Sequence, residues 1–371
     1  MQLRQIVKAL DSLAPWDLAE SWDRVGMQVG RSDQSVSKVM VALDVNLQVI
    51  QEGLRQNVNG FVVHHPLIFK PVTQINLNTP IGQCLQALIK NELFLVAAHT
   101  NMDKAERGLN QFLAERFALR GITLLEPEAD PRKAYKIVVF CPEPVTASIR
   151  TAMAEAGAGV IENYSECSFV VPGTGTYRSG CGTQPFIGKP GEFTEVEETR
   201  LEMLAAEGNL TQIIQAILAN HPYEEPAIDV YPLVTSPKHG MGRIGELPTS
   251  IPFQELCAKI KNDLPAREIR WLGEPARIVR KLAICSGSGG SLVASAIKNG
   301  ADAYLTGELG YHDYLFAKES GLAVITAGHW STERCFIPLV GSFLEKHFQN
   351  SADFKVYESN TIQEEPYQTQ G

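Results

Sequence analysis

Apolar residues along this chain gather into short continuous runs separated by amphipathic stretches, the pattern of strands buried on both faces and helices packed against them. Leu3, Ile6, Val7 and Leu10 form the i, i+3, i+4, i+7 stripe of a helix lying on a sheet. Residues 39–43 predict a strand that ends at Asp44, and a mixed helix leads to a strand over 61–63. Thr79-Pro80 supplies a helix N-cap followed by proline at the first helical position, with Ile81, Leu85 and Leu88 on one face. A strand follows from Leu93, then a helical run over 104–117 that ends near Leu119. This alternation predicts βαβ units and a parallel or mixed sheet.

Punctuation then changes. Glu126-Pro127-Glu128-Ala129-Asp130-Pro131 is polar and proline-bearing, as a linker is. Beyond it, a strand over 135–140, a helix over 145–156, a strand over 168–171, a helix over 195–219 and a strand over 227–233 predict a βαββαβ sandwich that closes before Pro237. From Ile244 the βα rhythm returns, with strands over 282–285, 303–306 and 322–326. The expected architecture is therefore a split α/β domain, with mixed sheets flanked by helices, made of residues 1–130 and 237–371. A ferredoxin-like α+β insertion over 131–236 interrupts it. The tail from Ser359 to Gly371 is polar and expected to be mobile.

The length of 371 residues agrees with two or three domains. Lys and Arg number 33 against 42 Asp and Glu, so the net charge of −9 disfavours a broad nucleic-acid or anionic-lipid footprint. The start lacks an apolar signal core, and no apolar run approaches the ~20 residues that span a bilayer, so the expected location is cytoplasmic. Seven scattered cysteines without a Cys-x-x-Cys pair read as reduced thiols, with no zinc knuckle among them.

Three separated sets of metal-binding residue types each follow an apolar run: His64-His65 after residues 60–63, Asp103 after 93–98, and His329 with Glu333 after 322–327. In open α/β sheets, ligands bind outside the carboxyl ends of strands, where distant loops converge. Adjacent histidines can converge only where a strand breaks into a loop, and Pro66 marks such a place. Taken alone, the pair is equally two hydrogen-bonded loop histidines, and Asp103 alone is an N-cap for the helical run after it. Jointly, three of the eight histidines and two carboxylates share equivalent strand-to-loop positions in one predicted sheet. Five mixed imidazole and carboxylate donors suit zinc, iron or manganese. Five also exceed the three that an open catalytic zinc needs, which predicts two divalent transition-metal ions per chain, with a bridging carboxylate and hydrolytic chemistry.

Other residues are read more plainly. His99 could be a sixth ligand, but the expectation is a histidine that orients a carboxylate. Ser286-Gly287-Ser288-Gly289-Gly290 is either an anion cradle or a tight turn permitting close packing. His312 could move protons near the pocket, while Asp313 reads as a helix cap. His221 is expected to be packed in a loop with Pro222, Tyr223 and Pro226.

Four motifs, Ser21-Trp22-Asp23-Arg24-Val25-Gly26-Met27-Gln28-Val29-Gly30, His64-His65-Pro66-Leu67-Ile68-Phe69, His99-Thr100-Asn101-Met102-Asp103 and Gly328-His329-Trp330-Ser331-Thr332-Glu333, make the chain resemble the GTP cyclohydrolase I type 2 homologs, also called Ngg-interacting-factor-three-like proteins. The resemblance implies a dinuclear metal site, with His65 and Asp103 on one metal, His64 and His329 on the other, and Glu333 bridging. It also implies a homohexamer built from trimers. Arg24 stands where the family usually has Asn, and Gly310 where a lysine is common, departures that bear on the substrate pocket. Gly157-Ala158-Gly159 with Asn163-Tyr164-Ser165, then residues 173–178 and 221–226, resemble the insert of the family's long members, which is similar to the PII and CutA folds.

Two functions follow. One is a metal-dependent hydrolase acting on a nucleotide or related heterocycle, with GTP ring opening as the resemblance suggests; Glu333 would hold both ions, and His99 or His312 would move protons. The other is a non-catalytic metal-binding or regulatory oligomer whose inserted domain senses a ligand.

Overall fold

The computed structural model describes every residue except 129–132, 162, 235–236, 265, 352, 363 and 368–371. It divides into two compact units, Met1–Ala129 with Pro237–Gly371, and Asp130–Ser236. The first segment contributes α1 (Leu3–Leu13), β1 (Gly26–Val29), β2 (Lys38–Ala42), α2 (Leu47–Gln56), β3 (Gly60–Val63), α3 (Pro80–Lys90), β4 (Phe94–Ala97), α4 (Thr100–Lys104), α5 (Leu109–Arg116) and β5 (Arg120–Glu128). The interrupting unit holds β6 (Ala134–Pro142), α6 (Thr146–Glu155), β7 (Ser168–Arg178), β8 (Phe193–Ala206), α7 (Leu210–Asn220) and β9 (Ile228–Pro232). The closing segment adds β10 (His239–Pro252), α8 (Phe253–Asp263), β11 (Arg270–Leu272), β12 (Ile278–Ser288), α9 (Val293–Lys298), β13 (Ala303–Glu308), α10 (Tyr311–Glu319), β14 (Ala323–Thr326), α11 (His329–Glu333), α12 (Phe336–His347) and β15 (Lys355–Glu358).

The larger unit contains two mixed sheets flanked by helices, as expected, although the metal-binding residues were read as sharing one predicted sheet. The first runs β1-β4-β3-β2-β15 and the second β11-β14-β13-β12-β10-β5. Strands β2, β3 and β4 are parallel, as are β12, β13 and β14. Val39, Val41, Val62 and Val96 from the first sheet share one core with Leu282, Ile284, Leu305 and Ile325 from the second. The alternate residues Met40, Phe61, Val63 and Leu95 pack instead with Val49, Ile50 and Leu88 of α2 and α3. Burial on both faces explains why these strands read as unbroken apolar runs, but that signal cannot say which sheet a strand joins.

Three boundaries differ from the expectation. The helical run over 104–117 is two helices, because the chain turns after Lys104 and Gly108 passes so close to Met102 that a Cβ would lie 1.9 Å from its carbonyl oxygen. Glu126, Pro127 and Glu128 belong to β5, paired with Met241, Gly240 and His239 of β10; Pro127 is tolerated because β5 is an edge strand. Ala129, Asp130 and Pro131 of the expected linker lie outside the described residues. The tail is docked as far as described: the Ser359 and Thr361 hydroxyls donate to Glu52 Oε2 at 2.5 and 2.6 Å, and the Asn360 amide donates to Oε1 at 3.0 Å. Residues 368–371 lie outside the description.

The smaller unit has a four-stranded antiparallel sheet in the order β7-β8-β6-β9 with helices α6 and α7, a ferredoxin-like βαββαβ arrangement. Here the expected helix over 195–219 is wrong in its first half. Residues 193–206 form β8, and only Leu210–Asn220 is helical. Glu, Leu and Met favour helix locally, yet Thr199, Leu201, Met203 and Ala205 are buried at a spacing of two, and β8 pairs with a strand on each side. Tertiary pairing overrides propensity there. Among the described residues no helix is long and apolar enough to cross a membrane.

Candidate metal centre

The donors converge because three chain segments leave their strands at neighbouring points. Both the His64 and His65 amides donate to the Leu43 carbonyl, at 3.1 and 3.0 Å, so strand alternation is broken there. The consecutive side chains therefore turn the same way, with ring centroids 5.0 Å apart. His99 leaves the end of β4, and Asp103 sits within α4 rather than capping a helix. Gly328, at φ +95°, turns the chain from β14 into α11 and places His329 and Glu333 four apart on one helical face.

Each histidine uses Nδ1 to hold itself in place. His64 Nδ1 donates to the Ala98 carbonyl at 2.8 Å. His65 Nδ1 meets Asp44 Oδ1 at 2.8 Å, His99 Nδ1 meets Asp23 Oδ1 at 2.9 Å, and His329 Nδ1 meets Glu308 Oε1 at 3.0 Å. A ring fixed through Nδ1 offers Nε2 to a metal, and such outer partners set tautomer and orientation. Asp23 is fixed in turn by the Thr100 amide and hydroxyl, at 3.0 and 2.5 Å. These hydrogen bonds to the ionised carboxylate hold Asp23 far below the ordinary carboxylate range, overcoming its burial. The expectation that His99 orients a carboxylate meets Asp23 as that partner, while its other face joins the cluster.

The Nε2 side forms the centre. His64 Nε2 stands 3.8 Å from Asp103 Oδ1 and 3.7 Å from Glu333 Oε1. His65 Nε2 and His329 Nε2 approach Glu333 Oε2 at 2.9 and 3.1 Å. Donor atoms of His64, His65 and His99 lie within 4.8 Å of one another, as do those of His65, His329 and Glu333. The carboxylate of Glu333 thus turns Oε1 toward His64, which also faces Asp103, and Oε2 toward His65 and His329. The resemblance implies a different division, His65 with Asp103 and His64 with His329.

The donor set fits cations. The wholly buried His64 Nε2 and the buried Glu333 Oε2 have no hydrogen-bond partner, although imidazole nitrogens lie close to the latter. Because Ala98 can only accept, neutral His64 keeps its proton on Nδ1 and presents an Nε2 lone pair to two carboxylates. Only a cation or an added proton satisfies that arrangement. Without a metal, neighbouring carboxylates do raise the histidines, His65 to about 10 and His329 to about 9, against the desolvation that lowers them. Burial raises Asp103, whereas the surrounding imidazoles draw Glu333 well down despite its burial.

The glycine-rich loop 286–290 supports this centre from behind. Ser286 Oγ donates to Asp103 Oδ1 at 3.1 Å, and the Gly287 amide donates to Thr332 Oγ1 at 3.1 Å. A Cβ on Gly287, whose φ is +60°, would lie 2.1 Å from Glu333 Oε1. Close packing requires glycine in this loop. His312 is not brought to the cluster: it is exposed at the start of α10 beside Tyr311, and Asp313 caps that helix through the Gly310 amide at 3.0 Å. His221 bonds the Phe140 carbonyl and the Tyr223 amide, which occupies both ring nitrogens in a packed loop. A cavity of about 360 Å³ opens next to the centre, lined by Glu308, Gly328, Arg267, Arg270, Tyr314 and Tyr367 among others.

The roles of Asp23, Asp44 and Glu308 were not read from the sequence. Asp44 had a visible signal, since it ends strand β2 as His64 ends β3; Asp23 lay inside a quoted motif, and Glu308 had none.

The model of the family Duf34/NIF3 (NGG1p interacting factor 3) matches residues 1–365. A protein of Halalkalibacterium halodurans named GTP cyclohydrolase 1 type 2 homolog is 36% identical over 325 residues, 87% of each chain. One of the same name from Listeria innocua is 35% identical over 364 residues, 97% of this chain and 96% of its own. The solved structure of a Bacillus cereus protein related to NIF3 superposes with a TM-score of 0.82 at 33% identity, covering 100% of this chain and 99% of that one.

Proposed function

The chain belongs to the Duf34/NIF3 family, and from that premise we propose that it is a dinuclear-metal hydrolase acting on a nucleotide or related heterocycle. The observation that carries the reading is the unsatisfied His64 Nε2 and Glu333 Oε2 at the heart of six convergent donors. His64, Asp103 and Glu333 Oε1 would hold one divalent ion, His65, His329 and Glu333 Oε2 the other. Two such ions supply an activated water and a Lewis acid for a carbonyl, phosphoryl or ring carbon. His99, held by Asp23, is placed either to complete the first position or to accept a proton through Nε2. His312 is too remote in its contacts to serve, and we assign it no role. The adjacent cavity offers Tyr314 and Tyr367 as flat surfaces for a planar substrate, while its two guanidinium groups, Arg267 and Arg270, are paired with Glu364 at 3.5 Å and Glu268 at 3.8 Å. The relatives' name makes GTP the first substrate to try.

The test is metal content by plasma mass spectrometry on untagged, chelator-free protein, followed by formate and phosphate release from a nucleotide panel. About two transition-metal ions per chain are expected. In Glu333→Ala both metal content and turnover should collapse, by at least ~10³ in rate. Formate release that survives the substitution sinks the hydrolase reading.

A non-catalytic regulatory oligomer is the second reading, favoured by a separate cavity of about 480 Å³ in the smaller unit. Metal positions saturated by protein donors, with no exchangeable water, would select it. Exposed apolar residues Phe69, Val72, Ile75 and Leu77 on one loop support self-association into the hexamer expected for the family, which light scattering checks.

A further inference from the structure

The cavity of the smaller unit has a lining that defines a ligand class. Phe140, Tyr177, Phe186 and Tyr223 present aromatic surface, and the charged residues are Glu198, Glu224 and Glu225. No lysine or arginine is among the described lining residues. Arg200, 5.6 Å from the Phe140 ring centroid, is paired with Glu202 at 2.7 Å. Carboxylates beside several ring faces are the chemistry that binds an organic cation, through charge and through the negative faces of the rings.

The site is built rather than incidental. Glu198 lies flat across β7, where a Cβ on Gly175 would be 2.0 Å from its Oε2, so glycine there admits the carboxylate to the cavity. Phe186 and Tyr223 stand 6.1 Å apart. The loop bearing Phe186 is tied down: the Gly191 amide donates to the Ser179 carbonyl at 2.8 Å, Ser179 Oγ to the Lys189 carbonyl at 3.1 Å, and the Tyr177 hydroxyl to the Ile187 carbonyl. The Gln184 amide fixes Glu224 Oε2 at 3.1 Å. Inside, the Tyr223 hydroxyl is buried beside the Glu198 carboxylate, and burial together with that carboxylate pushes its pKa up. A phenol oxygen beside a carboxylate still has lone-pair capacity that a ligand N–H can meet.

We propose that the inserted unit binds a small organic ammonium ion in this cavity, its charge on Glu198 and Glu225 and its carbon skeleton between Phe186, Tyr177 and Tyr223. The proposal does not rest on the hydrolase reading, and its outcome is separable from metal loading.

Isothermal titration of the full-length, metal-loaded protein at low salt uses 2-phenylethylamine and 1,5-diaminopentane as probes, with neutral 2-phenylethanol as the control. Saturable binding of at least one ammonium with Kd below about 1 mM is expected, with the alcohol at least ~10-fold weaker. Glu198→Gln should weaken binding at least ~10-fold at unchanged metal content. Should that variant fail to melt cooperatively, Phe186→Ala decides, since this side chain is 60% exposed and its loss leaves the core intact. No binding by either amine, equal binding by the alcohol, or binding indifferent to the folded variants overturns the proposal.

Discussion

At the scale of single residues, the centre is defined by where protons can reside. His64 has its Nδ1 proton committed to a backbone carbonyl, so its Nε2 can only accept, and it does so in a fully buried site facing two carboxylates. The donors themselves were legible because each follows an apolar run that a strand explains, leaving a histidine or carboxylate at the strand's end. Their outer partners were not, since Asp23 reaches His99 across 76 positions and Glu308 reaches His329 across 21. Nothing in local pattern specifies such pairs. Gly287 makes a sharper test than any ligand, because it touches Glu333 without being a donor. Alanine there adds left-handed strain of about 1–2 kcal/mol and drives a methyl group onto Oε1. Gly121 has nearly the same φ, +59°, with open space around its Cβ position. Gly287→Ala should therefore lose metal while Gly121→Ala keeps it, with similar strain in both; equal metal content, measured by plasma mass spectrometry, would refute the packing role assigned to the loop.

Elements were legible where the apolar pattern and local propensity agreed, and misread where pairing decided. Thr79 caps α3 through the Gly82 amide, as Thr-Pro implied. Strand β8 carries helix-favouring residues, yet its burial at every second position and its two neighbours fix it as a central strand. The tail failed as an expectation for a related reason: its polarity serves Glu52 rather than solvent. Three hydrogen bonds from Ser359, Asn360 and Thr361 lower the Glu52 pKa against the desolvation that raises it. A carboxylate with a depressed folded-state pKa adds stability above its unfolded value, near 4.5, and that stability is lost as pH falls through the folded value. Amide-exchange protection at 359–361, taken relative to the intrinsic rate at each pH, should fall as the medium acidifies below about pH 4.5. In Glu52→Gln the protection should be weaker already at neutral pH and change little on acidification. Protection that is as high at pH 3 as at pH 7 would contradict the docking.

At the scale of the whole chain, the larger unit ends and resumes on a paired stretch on either side of the inserted residues. Strand β5 runs into the smaller unit, and β10 leaves it, with Glu128 paired to His239, Pro127 to Gly240 and Glu126 to Met241. The smaller unit therefore occupies the loop of an antiparallel hairpin. Its core, built on Ile137, Val139, Leu201, Met203, Ile149 and Ile213, is a cluster of its own, separate from those of the larger unit. All six convergent donors and their Nδ1 partners belong to the larger unit. Replacing residues 129–238 by Asn-Gly, a pair that favours the tight turn of a two-residue hairpin, should leave β5 and β10 in register and the metal centre complete. The shortened chain should melt cooperatively and carry the metal content of the parent, while losing the ammonium binding proposed for the inserted unit. Loss of metal from a chain that still melts cooperatively would show that the inserted unit helps to form the centre, contrary to the placement of every donor in the larger unit.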